Sequence, residues 1–325
     1  MRLFITGAGG FLGSAVRRTA LDRGHDVSAL VRSPRDPDHP NLTYVVGDLR
    51  ARGAWGAALA GHDAVIHLAA AKSGDLASQF GGSVLSTELL LAEMEAAGCA
   101  RLVHVSSFVV YDFASVPVGG VIDETTPLET HPRGRDEYTQ AKLLQERVVR
   151  EWAERTDAQL TVLRPGAVWA TDEHWDGGQA MSLGPVGLAV APRADLKLTH
   201  VDNCAEAIVL AAEAPGAIGE TLNIVDDDPP STLEFTKALA RHGITVPRPV
   251  PVPYRAFRAL AATISAFNAR RYGGGAKVPG LFVPEKLDPR FKPFRYPNER
   301  ARRVLHWQPR SLDELLDATP AAARR

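Results

Sequence analysis

The stretch TGAGGFLG, residues 6–13, decides the fold of this chain, and it continues the apolar run RLFIT. Gly7, Gly10 and Gly13 stand between a predicted strand and a predicted helix. In a turn of this type the first glycine permits the tight bend, the second lets the backbone approach a pyrophosphate, and the third allows close helix–strand packing. The helix that begins near Phe11 then presents free N–H groups and its positive dipole end to the phosphates. The stretch therefore predicts a dinucleotide-binding turn.

Strands and helices alternate through the first half of the chain. Strand-like apolar runs occur at Leu3–Thr6, Val27–Val31, Leu42–Val46, Ala64–Leu68, Leu102–Ser106 and Gln159–Leu163. Helical patterns occur at Phe11–Arg23, Ala54–Ala60, Leu85–Ala97 and Asp136–Arg155. Because each helix carries the chain back across the sheet, the strands are expected to pair in parallel. The pattern predicts an α/β, Rossmann-type, doubly wound parallel sheet.

The second half has a different texture. Residues 165–200 are rich in Gly and Pro and weakly periodic, and a helix at Asn203–Ala212 and a strand at Thr221–Val225 follow. Residues 226–310 carry many prolines and irregular basic stretches. We interpret the later segments as a small, discontinuous C-terminal substrate-binding lobe. The expected domains are 1–164 plus 200–226 for the dinucleotide and 165–199 plus 227–325 for the substrate.

The composition, with 45% apolar residues, 23% charged residues and a formal net charge of −1, is that of an ordinary globular protein. That charge argues against a nucleic-acid partner. Cys99 and Cys204 lie too far apart for a disulfide framework or a metal-ligand spacing. His67, His104 and His200 lie in apolar strand contexts and are predicted to be core residues, not metal ligands. With no signal-peptide pattern and no bilayer-length apolar run, we expect a cytoplasmic protein without a membrane partner.

The end of the second strand bears on cofactor choice. NAD sites usually carry an acidic residue there, whereas this chain reads LVRSPR, with Arg32 at that position. Arg32, helped by Ser33 or Arg35, would hold a 2′-phosphate, which predicts NADP over NAD. The alternative is an arginine merely exposed in a loop. Asp48, in the tripeptide GDL, would meet the adenine amino group or cap the next helix.

Further motifs follow the glycine turn in a fixed order. They are GDL, HLAA at 67–70, VSSFVVY at 105–111, YTQAK at 138–142, LRPG at 163–166, THVDN at 199–203 and LHWQP at 305–309. Over nearly its whole length the sequence resembles the extended short-chain dehydrogenase/reductases, also called the NAD-dependent epimerase/dehydratase family. The resemblance implies a Rossmann fold, a nicotinamide cofactor and an enzyme with a Ser–Tyr–Lys site.

That resemblance makes Tyr138 the acid/base, Lys142 its partner and Ser107 the group that orients the substrate oxygen. Lys142 lies one helical turn from Tyr138 on the same face, so its ammonium group is expected to lower the phenol pKa from about 10. The cofactor-binding residues that it implies are Gly7, Gly10, Phe11, Leu12, Arg32, Asp48, Leu49, Leu68, Ala69, Tyr138, Lys142 and Pro165.

Three departures from the family pattern affect the expected reaction. Phe108 and Val109 replace the Asp-Glu pair that the sugar dehydratases carry, which disfavours dehydration. The segment DLKLTHVDN is more similar to the hydroxysteroid-dehydrogenase and dihydroflavonol-reductase branches than to the nucleotide-sugar epimerases. Ser83 stands where an asparagine often completes a water-linked proton relay from the lysine, so that relay is in doubt here.

The preferred hypothesis is an NADP-dependent oxidoreductase that interconverts a ketone and a secondary alcohol on a small or medium-sized metabolite. A nucleotide-sugar epimerase with tightly bound NAD(P) is the alternative, because residues 254–303 carry twelve Lys or Arg against three acids and would attract an anionic substrate. A solvated face or a subunit contact explains that charge equally well. A non-catalytic cofactor sensor is the remote alternative. The resemblance also suggests a homodimer built on Leu85–Ala97 and Asp136–Arg155.

Overall fold

The computed structural model describes residues 1–171, 180–183, 186–273 and 277–318. The strands are β1 (Arg2–Thr6), β2 (Asp26–Val31), β3 (Leu42–Val46), β4 (Ala64–His67), β5 (Arg101–Val105), β6 (Gln159–Pro165), β7 (Ala167–Trp169), β8 (Ala180–Leu183), β9 (Val186–Val190), β10 (Leu198–His200), β11 (Thr221–Ile224) and β12 (Arg248–Val252). The α-helices are α1 (Phe11–Asp22), α2 (Leu76–Gln79), α3 (Ser86–Ala97), α4 (Glu137–Thr156), α5 (Val201–Glu213), α6 (Thr232–Arg241), α7 (Tyr254–Tyr272), α8 (Pro284–Phe291), α9 (Glu299–Leu305) and α10 (Leu312–Ala318). A π-helical segment, Phe80–Leu85, joins α2 to α3.

The central sheet has seven strands in the order β3-β2-β1-β4-β5-β6-β11, and every pair is parallel. The strand order reverses between β1 and β4. In sheets of this topology ligands bind at that reversal, beyond the carboxyl ends of the strands. Thr6 and His67 end the two strands and are paired in register there.

Apolar layers cover both faces of the sheet. On one face α1 and α5 bury Val16 and Ile208, and on the other α3 and α4 bury Leu90, Met94 and Val149. Each such side chain contributes about 1.5–3 kcal/mol on burial. The predicted doubly wound α/β fold is confirmed.

From β1 to β6, the strand and helix boundaries predicted from the sequence agree with the structure to within one or two residues, with one exception. The helix expected over Ala54–Ala60 is a single 3₁₀ turn, Ala57–Leu59. Gly61 follows with a φ of +74°, in the left-handed region that ends a helix. With Gly56 on the other side, the segment is too short for a second turn of helix.

A larger difference concerns residues 226–310, where the sequence shows many prolines and irregular basic stretches. Helices α6, α7, α8 and α9 all lie within this range. The longest, α7, buries Tyr254, Phe257 and Ala261, while Phe267 is 61% exposed. Since apolar residues occupy its exposed face as well as its buried one, the helical period was weak in the sequence.

An aromatic cluster joins the sheet to the C-terminal segments. Phe108, Tyr111 and Phe113, which follow β5, are buried against Phe294 and Tyr296. The ring centroids of Phe108 and Tyr296 are 5.7 Å apart, and those of Phe113 and Phe294 are 5.6 Å apart. The cluster anchors the chain that leaves β5 directly after Ser107.

Within the described ranges, none of the helices combines the length and the apolar character needed to cross a membrane.

Candidate active site

The glycine turn is shaped so that side chains are excluded from it. Gly7 has a φ of +70°, and a Cβ there would lie 2.9 Å from Ala69 N. A Cβ on Gly13 would lie 2.0 Å from Gly7 O, and Gly10 N donates to Gly7 O over 3.0 Å. The turn therefore packs directly against the end of β4, where Leu68 and Ala69 are partly buried.

Helix α1 starts at the mouth of this turn without a side-chain cap. Its N-cap is Gly10, which has no side chain to accept from the first-turn N–H groups. Phe11 and Leu12 follow, both partly buried. First-turn N–H groups lack partners within their own helix, so they are available to an anion. A glycine turn and an uncapped helix N-terminus at the strand reversal together fit the pyrophosphate of a dinucleotide.

Two arginines lie beside the turn. Arg32 is exposed directly after β2, as the sequence indicated. A Cβ on Gly9 would lie 3.4 Å from Arg35 Nη2, so the Arg35 guanidinium group lies over the glycine turn. Positive charge therefore stands where the adenosine ribose of a dinucleotide is expected.

Asp48 is held by a neighbour. Its carboxylate accepts from Arg50 Nη2 over 2.6 Å and from Arg50 N over 2.9 Å. The hydrogen bonds from Arg50, helped by the charge of Arg32, lower the pKa of Asp48 to about 2. The carboxylate closes a turn instead of capping the helix expected after it, since that helix does not form. Leu49 is buried in the apolar layer that also contains Trp55.

Tyr138 lies in the first turn of α4, whose N-cap Asp136 accepts from Thr139 N over 2.8 Å. Burial raises the pKa of the Tyr138 phenol to about 12, and the neighbouring Ser107 hydroxyl opposes the rise. The sequence predicts a lowered pKa, and the structure has the opposite direction because burial of the phenol is the largest cause. Lys142 Nζ donates instead to Val105 O and to Gln145 Oε1, each over 2.8 Å.

Lys142 is 3% exposed and lies beneath the end of β5. Burial lowers the pKa of its amine to about 7, while Glu146 opposes the shift and Lys72 adds to it. Since Val105 lies two residues before Ser107, the bond to its carbonyl brings Lys142 beneath the segment that carries Ser107. The three residues expected to form one site therefore belong to one contiguous region.

The structure separates the two adjacent serines. Ser106 Oγ donates to Glu146 Oε2 over 2.6 Å, and Glu146 pairs with Arg164 in the same buried cluster. Ser107 Oγ accepts from Val109 N over 3.4 Å, and Ser107 lies close enough to Tyr138 to lower the pKa of its phenol. Ser106 therefore belongs to a buried ion pair, and Ser107 lies beside the phenol.

Pro165, the last of the expected contact residues, ends β6 and is paired in register with Ile224 of β11. It is buried in the sheet.

A buried polar network lies under Lys142, and the sequence analysis missed it. Gln145 Nε2 donates to Thr87 Oγ1 over 2.8 Å, and His67 Nε2 lies 2.8 Å from the same hydroxyl. Thr6 Oγ1 lies 2.7 Å from His67 Nδ1. The spacing of Gln145, three residues after Lys142 on one helix, is the signal that would have revealed the contact.

His67, His104 and His200 are all buried, as predicted. No group of three or more His, Cys, Asp or Glu side chains that could hold a metal ion occurs in the described part of the chain.

Known proteins are similar to this chain in sequence and in fold. The model of the NAD(P)H-binding family matches residues 7–207. The chain is 31% identical to a 3-beta-hydroxysteroid dehydrogenase of Mycolicibacterium neoaurum over 258 residues, which cover 73% of this chain and 68% of the relative. It is 29% identical to a 4-hydroxy-2-methyl-3-oxo-4-farnesyl-3,4-dihydroquinoline-1-oxide ketoreductase of Stigmatella aurantiaca, with 99% and 97% of the two chains covered. The solved structure of UDP-glucuronic acid 4-epimerase from Bacillus cereus in complex with NAD superposes with a TM-score of 0.71 at 17% identity, with 98% and 97% covered.

The family match and the named relatives show an NAD(P)-dependent enzyme of the oxidoreductase and epimerase class. The chain belongs to the NAD(P)H-binding family, within the extended short-chain dehydrogenase/reductases.

Proposed function

We propose that this protein is an NADP-dependent oxidoreductase that interconverts a ketone and a secondary alcohol on a small or medium-sized metabolite. The observation that carries the proposal is that Ser107 lies close enough to Tyr138 to act on the pKa of its phenol, one helical turn from the buried amine of Lys142. A phenol, a hydroxyl and a cation so arranged can hold a carbonyl oxygen and protonate it.

In the direction of reduction each group has a separate task. The nicotinamide, when bound, supplies a hydride to the carbonyl carbon. Ser107 orients the carbonyl oxygen, and Tyr138 gives its proton to that oxygen, so one hydride and one proton yield the alcohol. Because the pKa of Tyr138 is raised to about 12, the phenol carries its proton at neutral pH. This is the protonation state that a proton donor needs in the direction of reduction.

The choice of NADP rests on Arg32 and Arg35. Both lie near the glycine turn, and the end of β2 lacks the acidic residue that usually meets the ribose of NAD. Guanidinium groups bind phosphate through charge-assisted hydrogen bonds.

The substrate is assigned to the lobe of residues 165–199 plus 227–325, set against the dinucleotide domain of 1–164 plus 200–226. The buried aromatic cluster that follows Ser107 packs segments of this lobe against the chain that leaves β5. The two relatives described above, a hydroxysteroid dehydrogenase and a ketoreductase by name, support a substrate that is a ketone or a secondary alcohol.

A nucleotide-sugar epimerase is the second candidate, supported by basic groups in the same lobe. Lys197, Arg290 and Lys292 line one pocket together with Tyr296. Burial lowers the pKa of Lys197 to about 8, and the charges of Arg290 and Arg135 add to the shift. Such a cluster would attract an anion. The fold shared with a UDP-glucuronic acid 4-epimerase is consistent with this candidate.

The homodimer suggested by the family resemblance remains part of the proposal. Leu85, directly before α3, is 45% exposed, and Leu144, on α4, is 39% exposed. Light scattering on the purified protein tests it.

Three measurements separate the candidate functions. The purified protein is incubated with NADPH and a panel of ketones, and separately with nucleotide sugars. Net oxidation of NADPH with a ketone supports the oxidoreductase. Interconversion of sugar isomers, with a co-purifying cofactor that is unchanged over a turnover, supports the epimerase. A biological effect that survives Tyr138→Phe supports the cofactor sensor.

A further inference from the structure

The buried amide of Gln145 lies next to the amine of Lys142. Both residues project from α4, one turn apart, and Lys142 Nζ donates to Gln145 Oε1 over 2.8 Å. Gln145 has no exposed surface. We infer that Gln145 is the positioning residue of this site, which holds the Lys142 ammonium group in place for the cofactor. The inference rests on the proposed function, since it assigns Lys142 to that site.

The orientation of the amide is fixed from both ends. Ala69 O, which can only accept, lies 3.2 Å from Gln145 Nε2, so the NH₂ group must face that side. Thr87 Oγ1 lies 2.8 Å from the same nitrogen and itself donates to Ser83 O over 2.6 Å. The remaining atom, Oε1, therefore faces Lys142, and an ammonium group requires an acceptor there.

The neighbouring histidine completes this arrangement. Thr87 gives its hydrogen to Ser83 O, so the Thr87 hydroxyl accepts from His67 Nε2 over 2.8 Å. Its Nδ1 then accepts from Thr6 Oγ1 over 2.7 Å, which assigns one neutral tautomer to the ring. Burial, with the charge of Lys142, lowers the pKa of His67 to about 3. The His67 imidazole is therefore uncharged, and the hydrogen bonds of this network leave Gln145 Oε1 facing Lys142.

Ser83 is not the residue that supplies the polar contact to Lys142. It occupies the position where the family often has an asparagine, but its hydroxyl accepts from Ala71 N over 3.0 Å. Its carbonyl accepts from Thr87. An amide carried by α4 itself, three residues after Lys142, thus supplies the polar contact to the lysine.

Two fixed hydrogen bonds leave one N–H of the ammonium group. Val105 O and Gln145 Oε1 take two of the three donors of Lys142 in the described structure. The third is left for a ribose hydroxyl of the nicotinamide nucleotide. Losing Oε1 would let the amine turn and would weaken that contact.

The charges that face Lys142 determine the direction of the expected effects. Glu146, on its own helix, stabilises the ammonium form, and Lys72, in the loop after β4, destabilises it. His67 and His104, on β4 and β5, are neutral because burial lowers the pKa of each. Gln145 Oε1 adds a dipole that favours the charged amine. The ammonium form is present below the lysine pKa and is lost above it.

The test measures the Lys142 pKa directly. Protein labelled with ¹³C at lysine Cε is titrated by NMR, and the Lys142 resonance is identified by its loss in Lys142→Met. The variants are Gln145→Met, which keeps the length but has no acceptor, and Gln145→Glu, which is isosteric. Gln79→Leu is the matched control, because Gln79 is also buried and its amide donates to Gly74 O. NADPH affinity is measured on the same proteins across the same pH range by fluorescence.

Gln145→Met is expected to lower the Lys142 pKa by about one to two units, since a hydrogen bond to a charged group is lost. Gln145→Glu is expected to raise it by a similar amount through the added charge. The upper-pH loss of NADPH affinity should move with each pKa, and Gln79→Leu should move neither. Because Gln145→Glu keeps the shape of the side chain, the test does not depend on the methionine variant folding.

An unchanged Lys142 pKa in both Gln145 variants would overturn the inference. The outcome is separable from failure of the proposed function, since neither readout needs a substrate. If the pKa moves as expected while no ketone is reduced, Gln145 positions the lysine of an enzyme with another reaction.

Discussion

Ser106 donates a hydrogen bond of 2.6 Å to the carboxylate of Glu146. Arg164 pairs with the same carboxylate from the buried side, and Arg150 pairs with it from the next turn of α4. Burial opposes ionisation, but these partners hold the pKa of Glu146 at about 2. Ser106 thus stabilises the packing of β5, β6 and α4, whereas its neighbour Ser107 is the serine that the proposed function assigns to the substrate.

The two serines are therefore expected to respond differently to the same change. Ser107→Ala should lower kcat by about 10²-fold through loss of the group that orients the oxygen, with little effect on stability. Ser106→Ala should lower the free energy of unfolding by about 1.5–3 kcal/mol, since its partner is charged, and leave kcat near that of the parent. Steady-state kinetics and urea denaturation of both variants check this. Equal loss of activity in the two variants would contradict the assignment.

Cofactor preference should depend on the two arginines near the glycine turn. Arg32→Ala and Arg35→Ala are each expected to weaken NADPH binding by about tenfold or more while NADH binding changes little. Calorimetric titration with both cofactors measures the difference. Arg147→Ala is the control, because Arg147 is an exposed residue paired with Glu151 on α4. A parallel loss of both cofactors would show that these arginines do not read the 2′-phosphate.

The third glycine of the turn should tolerate no side chain. A Cβ on Gly13 would lie 2.0 Å from Gly7 O, so Gly13→Ala must displace the backbone of the turn. We expect a loss of about 1–3 kcal/mol in the free energy of unfolding, together with weaker NADPH binding. At Gly216 a Cβ would meet nothing within 4 Å, so Gly216→Ala should change neither. Chemical denaturation and cofactor titration of Gly13→Ala and Gly216→Ala test this expectation.

The stability of the fold should depend on pH through Asp226. Its partly buried carboxylate accepts from His200 N over 2.7 Å and from Thr199 Oγ1 over 2.9 Å. Burial nevertheless raises the pKa of Asp226 to about 7. The folded state therefore binds more protons than the unfolded state between about pH 4 and pH 7, and stability falls as pH rises through that window.

Asp226→Asn should remove this contribution, which amounts at most to about 1.4 kcal/mol per pH unit. The difference between parent and variant in the free energy of unfolding should slope between pH 4 and pH 7 and be flat below pH 4. Asp38→Asn, in the exposed loop after β2, serves as the control. A difference that does not depend on pH would contradict a raised pKa at Asp226.

The sheet and the turn could be predicted from the sequence because local rules fix them. Gly7, Gly10 and Gly13 occupy positions that a side chain would block or crowd, and continuous apolar strands are required in a sheet covered on both faces. The same rules placed Tyr138 and Lys142 on one face of a helix. The N-cap Asp136 confirms where that helix starts.

Long-range contacts could not be predicted in this way. The hydrogen bonds of Lys142 to Gln145 and Val105, and the burial that raises the phenol pKa of Tyr138, depend on side-chain conformations and on β5 lying beneath α4. The choice between Ser106 and Ser107 depends on Glu146, forty residues away in sequence. The lobe helices were missed for another reason, since α7 exposes apolar residues on the face that is usually polar.

The proposed reaction depends most on Tyr138 as the proton donor beside the cofactor, and Tyr138→Phe tests this directly. Single-turnover reduction of a ketone by bound NADPH should slow by about 10²–10⁴-fold, while NADPH affinity stays within a few-fold of the parent. Tyr272→Phe, on the exposed end of α7, should behave as the parent. A Tyr138→Phe variant that reduces the ketone at the parental rate with NADPH bound would contradict the account.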